Sequence, residues 1–232
     1  MNDPTSTSSS EPIAHVRSAF ASEPILNYVA RHVSEPDPLQ HALRAETRER
    51  TGRASGMQIG DDQAVLMEML ARAIGARRAI EIGTFTGYSA LAVARGMGPE
   101  GRLLCCDVSE EWTAIARSYW QRAGVADRIE LRIGPALDTL TGLANDESFD
   151  LAFVDADKTA YLDYYEALVP RLRPSGLLLV DNTLQRGRVA DSSADDAAVR
   201  SMRKFNDRVT ADPRVQSVLL HIGDGVTMIQ KR

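Results

Sequence analysis

The sequence predicts an α/β chain built on a doubly wound, mostly parallel sheet that closes with an antiparallel pair. Three observations carry that prediction. From residue 78 onward, short apolar runs alternate with segments of helical periodicity, the rhythm of right-handed βαβ crossovers. Several of these runs end on an acidic residue followed by small or polar positions, as strands do where a sheet edge faces a ligand. The last two apolar runs are joined by little more than Ile222-Gly-Asp-Gly225, a tight turn that reverses the chain. The 232 residues suffice for one large domain with a full core. With 44% apolar and 25% charged residues the composition is that of a globular enzyme. The net charge of −5 gives no electrostatic reason to expect a nucleic-acid partner.

The elements follow in order. Residues 1–12 are Ser, Thr, Pro and acid, read as a tail that buries almost nothing. They carry neither a basic n-region nor an apolar h-region, so no secretory signal is read there. No apolar run approaches the length of a membrane span. The single domain is placed at 13–232. Its first part, 13–56, reads as helical pieces broken by Pro24, Pro36 and Pro38, outside the main sheet. A helix follows from about Asp61 to Ile74, capped by Asp61 or Asp62. Its expected apolar face is Val65, Leu66, Met69, Leu70, Ala73 and Ile74. Strands are read at Ala79–Ile82, Arg102–Val108, Ile129–Ile133, Leu151–Val154 and Leu177–Val180, with helices near 88–97, 110–123, 136–143 and 159–172. A helix near 195–210 precedes the closing strands Val215–His221 and Val226–Gln230. Cys105 and Cys106 are adjacent within an apolar strand and cannot form a structural clamp. They point to a reducing, cytoplasmic setting.

Two constellations carry chemistry. The first is Glu81-Ile-Gly-Thr-Phe-Thr-Gly87, at the end of the first parallel strand. Gly83 and Gly87 clear side chains where the backbone turns close to a ligand. Tyr88 and Ser89 open the next helix, whose N-terminus suits a carboxylate. Asp107 ends the next strand, where a ribose-binding acid sits in nucleotide-type sites. The second is Asp155, Lys158, Asp181 and Asn182. Asp155 ends the fourth parallel strand and Asp181-Asn182 the fifth. Neighbouring parallel strands place these ends side by side, so two carboxylates and an amide oxygen converge. An all-oxygen set suits a hard divalent cation such as Mg²⁺, Mn²⁺ or Ca²⁺ and leaves positions for substrate oxygens.

Five motifs occur in order: Glu81-Ile-Gly-Thr-Phe-Thr-Gly-Tyr-Ser89, Cys105-Cys-Asp-Val-Ser109, Gly134-Pro-Ala-Leu137, Phe153-Val-Asp-Ala-Asp-Lys158 and Asp181-Asn-Thr-Leu184. Together with the terminal hairpin they resemble the class I S-adenosylmethionine-dependent, cation-dependent O-methyltransferases related to caffeoyl-CoA and catechol O-methyltransferase. The resemblance runs from about Met57 to the C-terminus. It implies a Rossmann-like methyltransferase fold with a seven-stranded sheet and a reversed last strand. It also implies an S-adenosylmethionine site in which Asp107 binds the ribose, Glu81 and Gly83 line the methionine side, Ser89 reaches the carboxylate and Ala136 packs by the adenine. Thr84, Val108 and Asp155 complete that set. Met57 and Ile59 belong to the segment, Met57 to Gln63, that resembles the one closing over the cofactor. Lys158 corresponds to the catalytic lysine, with Asp155 beside it. A metal held by Asp155, Asp181 and Asn182 would chelate the acceptor, a small hydroxylated aromatic of catechol type. The assembly implied is a homodimer.

The chain departs from that pattern in places. Gln185 stands where plant members often carry an aromatic, Gln63-Ala64-Val65 lacks the more usual glycine, and Ile59 replaces a hydroxyl residue. Asp157 reads as a helix cap, and Tyr161, Tyr164 and Tyr165 partly as core. Trp112 and Trp120 read chiefly as packing. Two other functions are weighed. A nicotinamide-dependent oxidoreductase is disfavoured by the missing GxGxxG. A cofactor-binding regulatory protein without catalysis is disfavoured by the intact Asp155, Lys158, Asp181 and Asn182 set.

Overall fold

The computed structural model describes residues 14–18, 20–146 and 148–232, so the expected tail at 1–12 lies outside the described residues. Two helices precede the sheet: α1 (Glu23–Ala30) and α2 (Pro38–Thr51). Each opens with proline in its first turn, where the missing N–H would have no helical partner. Asp37 caps α2 in a reciprocal pair with Gln40, at 2.8 and 3.0 Å.

The next helix, α3 (Asp61–Ala73), corrects the expected cap and face. Its N-cap is Gly60, and Asp61 instead turns inward and is buried. The buried apolar face is Ala64, Met67 and Ala71, while Met69 is 58% exposed. The reason is the neighbour. Helix α4 (Tyr88–Gly96) comes so close that a Cβ on Gly96 would lie 2.4 Å from the Glu68 carbonyl oxygen and 2.8 Å from Ala71 Cβ. Only small side chains fit at that contact, so Ala71 rather than a large apolar residue meets Gly96 there.

The sheet then builds by crossovers. Strands β1 (Arg78–Ile82), β2 (Arg102–Asp107), β3 (Ile129–Ile133), β4 (Phe149–Val154) and β5 (Leu172–Val180) are parallel. Helices α5 (Glu110–Arg122), α6 (Ala136–Thr141) and α7 (Tyr161–Leu168) intervene, and α8 (Ala197–Thr210) leads to the hairpin of β6 (Val215–Leu220) and β7 (Val226–Lys231). The order is β3-β2-β1-β4-β5-β7-β6, with β7 antiparallel to both neighbours. Both faces are covered, so adjacent strand residues enter opposite core layers. Ala79, Cys105, Leu151 and Leu179 pack on one side, and Ile80, Cys106, Ala152 and Val180 on the other.

Strand β5 begins five residues before the expected Leu177, and the helix expected over 159–172 is shorter. A 3₁₀ turn at Val169–Arg171 contains Pro170, which has no N–H to continue a helix. Leu172 pairs with Phe149, and the register then shifts before Leu177 pairs with Leu151. Pro174 lies in that irregularity, and Ser175 has φ 63°. A strand pattern read from residues alone misses a bulged start of this kind.

Candidate active site

The C-terminal ends of β1, β2, β4 and β5 open into one cavity of about 1100 Å³. The ladder runs right up to it: Gly83 N–H donates to Cys106 O, Asp155 N–H to Ile82 O and Asp181 N–H to Val154 O, each at 2.9 Å. Gly83, Asp155 and Asp181 are therefore tied to the sheet itself.

At one end, β1 turns into α4 through Gly83 (φ 88°) and Gly87 (φ 82°). A Cβ on Gly83 would lie 2.0 Å from the Asp155 carbonyl oxygen, so β1 and β4 touch here through bare backbone. Asp107, at the end of β2, accepts from the backbone N–H groups of Thr84 (2.8 Å) and Phe85 (2.7 Å) on Oδ2, and from Ser109 (2.7 Å) on Oδ1. It thus sets the glycine turn as well as lining the cavity. Phe85 (φ 51°) meets Trp112 edge to face at 5.0 Å, and Trp112 joins the cavity wall.

Met57, Ile59, Gly83, Thr84, Ser89, Asp107, Val108, Ala136, Asp155, Lys158, Asp181 and Asn182 all line this cavity, so one space gathers nearly every residue singled out from the sequence. Glu81 is the exception. It is buried beneath the wall instead of lining it. Alternation along β1 explains this: Ile82 faces one layer and Glu81 the other, beside Cys105. Burial, reinforced by the charges of Asp107 and Asp155, pushes its carboxyl up to about 8. Glu81 Oε2 and Thr84 Oγ1 are buried without hydrogen-bond partners among the described residues. Buried polar atoms left open beside the cavity fit a ligand that brings polar groups to them.

At the other end, Lys158 Nζ donates to Asp155 Oδ1 (2.7 Å) and to the Tyr161 hydroxyl (2.8 Å). Asp157 caps the short turn that starts at Lys158, accepting from Thr159 N–H at 3.1 Å. Tyr161, Tyr164 and Tyr165 are all buried, and Tyr164 also reaches the cavity. Asp181 is buried, and burial followed by the Asp155 charge pushes its carboxyl above the usual range. Asn182 takes a left-handed backbone (φ 58°) just beyond β5. Two neighbouring carboxylates, one of them resisting ionisation, form a set that a divalent cation would satisfy. The described residues contain no group of three His, Cys, Asp or Glu able to hold a metal. Asp155, Asp181 and Asn182 share the cavity wall, two carboxylates and an amide.

Sequence reading missed a strap across the mouth. His15 O accepts from Asp61 N–H at 2.8 Å, Arg17 donates to Gln58 O at 2.7 Å, and Ser18 bridges to Gly223 in the β6–β7 turn. Asp61 gathers the Arg44 guanidinium, the Tyr88 hydroxyl and the His15 N–H beneath it. These contacts join segments far apart in sequence, and no local pattern announces them.

The sheet order, with one reversed strand and an acid-ended β2 over a glycine turn, defines the molecule as a Rossmann-like methyltransferase. A model of the O-methyltransferase family matches residues 30–232. The probable caffeoyl-CoA O-methyltransferase 2 of Dictyostelium discoideum is 40% identical over 211 residues, covering 89% of this chain and 91% of that protein. The caffeoyl-CoA O-methyltransferase of Eucalyptus gunnii is 35% identical, covering 93% and 90%. The crystal structure of an O-methyltransferase from Bacillus cereus in complex with SAH matches with a TM-score of 0.82 and 31% identity, covering 90% of this chain and 97% of that one. The chain belongs to the O-methyltransferase family and is an S-adenosylmethionine-dependent O-methyltransferase. No described helix is long and apolar enough to cross a membrane.

Proposed function

We propose that this enzyme methylates one hydroxyl of a small vicinal dihydroxy aromatic, with a divalent cation held by Asp155, Asp181 and Asn182. The observation that carries the reading is the single cavity shared by Asp107 and the glycine turn at one end and by Asp155, Lys158, Asp181 and Asn182 at the other. The relatives named for caffeoyl-CoA support an acceptor of this class.

In this reading Asp107 takes the ribose hydroxyls, Ser89 at the start of α4 takes the methionine carboxylate, and Glu81 with Thr84 attracts the amino group from below. Gly83 gives the backbone approach, Met57 and Ile59 close the near wall, and Val108 with Ala136 borders the adenine. When bound, the cation supplies Lewis acidity to the acceptor hydroxyl and a geometry that favours two adjacent oxygens. Lys158, once it has given up its own proton, accepts the hydroxyl proton as oxygen attacks the sulfonium methyl. The carbon–sulfur bond breaks as the carbon–oxygen bond forms, and the sulfur leaves with its electron pair. Holding both reactants in one cavity replaces a bimolecular encounter. The setting proposed is cytoplasmic, consistent with the free, buried Cys105 and Cys106. The assembly proposed is a homodimer, the commonest form of oligomer.

The test is a methyl-transfer assay with catechol and its mono-hydroxyl analogue. Turnover of catechol with Mg²⁺ or Mn²⁺, abolished by EDTA, with little turnover of phenol, is the expected result. Equal turnover of phenol, or full activity in EDTA with a metal-free protein confirmed by elemental analysis, overturns it.

A further inference from the structure

Asp181 is held from two sides. Asn182 N–H donates to its Oδ1 at 2.6 Å, and the Gln63 side-chain N–H donates to its Oδ2 at 3.0 Å. Gln63 lies in the first turn of α3, is 2% exposed, and meets Asp181 from 118 residues away in the chain. Its other amide atom is also confined: a Cβ on Gly223 would come 3.2 Å from Gln63 Oε1, and 3.9 Å from Asp181 Oδ1. The bare backbone of the β6–β7 turn, with Gly223 at φ 59°, is what lets this side chain lie flat between α3 and the end of β5.

We propose that Gln63 is a positioning residue for Asp181, fixing the orientation in which its carboxylate receives a divalent cation. This rests on the metal reading above. An amide is suited to the task. It orients a buried carboxylate by hydrogen bonding yet brings no net charge that would offset the attraction of that carboxylate for a cation. A lysine or arginine here would compete with the ion, and an aliphatic side chain would leave Asp181 held on one side only, with Oδ2 lacking a donor. Partners that orient a ligating carboxylate typically change metal affinity 10- to 100-fold when removed.

The experiment measures Mn²⁺ alone binding to the full chain, by paramagnetic resonance of the free and bound ion. Gln63→Met, close in length but without the donor, is expected to weaken Mn²⁺ binding by about 10–100-fold and to alter the bound-ion spectrum. Affinity for S-adenosylhomocysteine, read by calorimetry, is expected to stay within about three-fold. Gly223→Ala, which displaces Gln63 without removing it, is expected to give a smaller loss of the same kind. Unchanged Mn²⁺ affinity in both variants, while the wild type binds the ion, overturns the role of Gln63 alone. An equal loss of S-adenosylhomocysteine affinity assigns Gln63 to general packing and overturns it too. A wild-type chain that binds no Mn²⁺ overturns the metal reading and this inference with it.

Discussion

The two ends of the cavity are built differently. The end holding Asp107 is made by consecutive pieces of chain. The turn 83–87 leaves β1 and enters α4, and the acid that fastens it ends the adjacent strand β2. The end holding Asp155 and Asp181 is assembled from afar. Gln63 arrives from α3, and the β6–β7 turn holds the stretch after β5 through Thr183 N–H to Gly225 O and Leu184 N–H to Asp224 O, both at 3.0 Å. The strap at 14–18 then pairs with that turn. The difference teaches how far along the chain each end reaches for its support. In the proposed function the turn that meets the cofactor is fastened by its neighbour in the sheet, whereas the end proposed for the acceptor draws on segments from α3, β5 and the β6–β7 turn.

That contrast can be broken where the two ends touch. Gly83 belongs to the cofactor turn, yet its Cα faces the Asp155 backbone. Gly83→Ala should damage both ends, through the clash and the left-handed backbone, at a stability loss of roughly 2–5 kcal/mol. Denaturant unfolding and cofactor calorimetry check this. A stable variant with normal cofactor affinity would show that the two ends are not welded here.

The next changes should separate the ends. Asp155→Ala should lower turnover by at least about 100-fold, while S-adenosylmethionine affinity falls only a few-fold. Steady-state kinetics alongside calorimetry makes the comparison. Asp107→Ala should do the reverse, weakening cofactor binding by about ten-fold or more and leaving Mn²⁺ affinity unchanged. Since Asp107 also fastens Thr84 and Phe85, the loss should exceed that of a ribose contact alone. Equal damage to both ligands in either variant contradicts the division.

The smallest effect concerns Glu81, under the cofactor end. Its carboxyl is raised from 4.5 to about 8 in the folded protein. A raised carboxyl binds its proton more tightly folded than unfolded, so the stability it contributes is present at low pH. That contribution is lost as pH rises from about 4.5 through about 8. Glu81→Gln, in the ligand-free protein, should therefore melt above the wild type at about pH 8.5, with the difference shrinking toward about pH 5. Thermal melts across that range measure it. A constant difference would mean that Glu81 is ionised throughout.

What was legible in the sequence follows from periodicity and chain punctuation. Strand β3 appears at its expected bounds, Ile129–Ile133, and the other parallel strands overlap theirs because each run is apolar enough to be buried on both faces. Gly83, Asp107, Asp155 and Asp181 were readable because a strand end followed by a glycine or an acid is a local event. The sheet order then carried them to one edge. The placement of Glu81 was not. Its motif puts it beside the cofactor, while strand alternation turns its side chain beneath the wall.

By itself, then, the sequence determined the βαβ rhythm, the reversed final strand and the set of groups at the strand ends, since each depends on neighbours along the chain. Only the tertiary structure decided which face of α3 is buried, that Asp61 is a hub rather than a cap, and that Gln63 meets Asp181. Those outcomes depend on how closely two helices can approach and on which distant backbone is bare enough to admit a side chain. Gly96 and Gly223 settle both. Such contacts are fixed by volumes in space, which a residue pattern along one dimension does not contain.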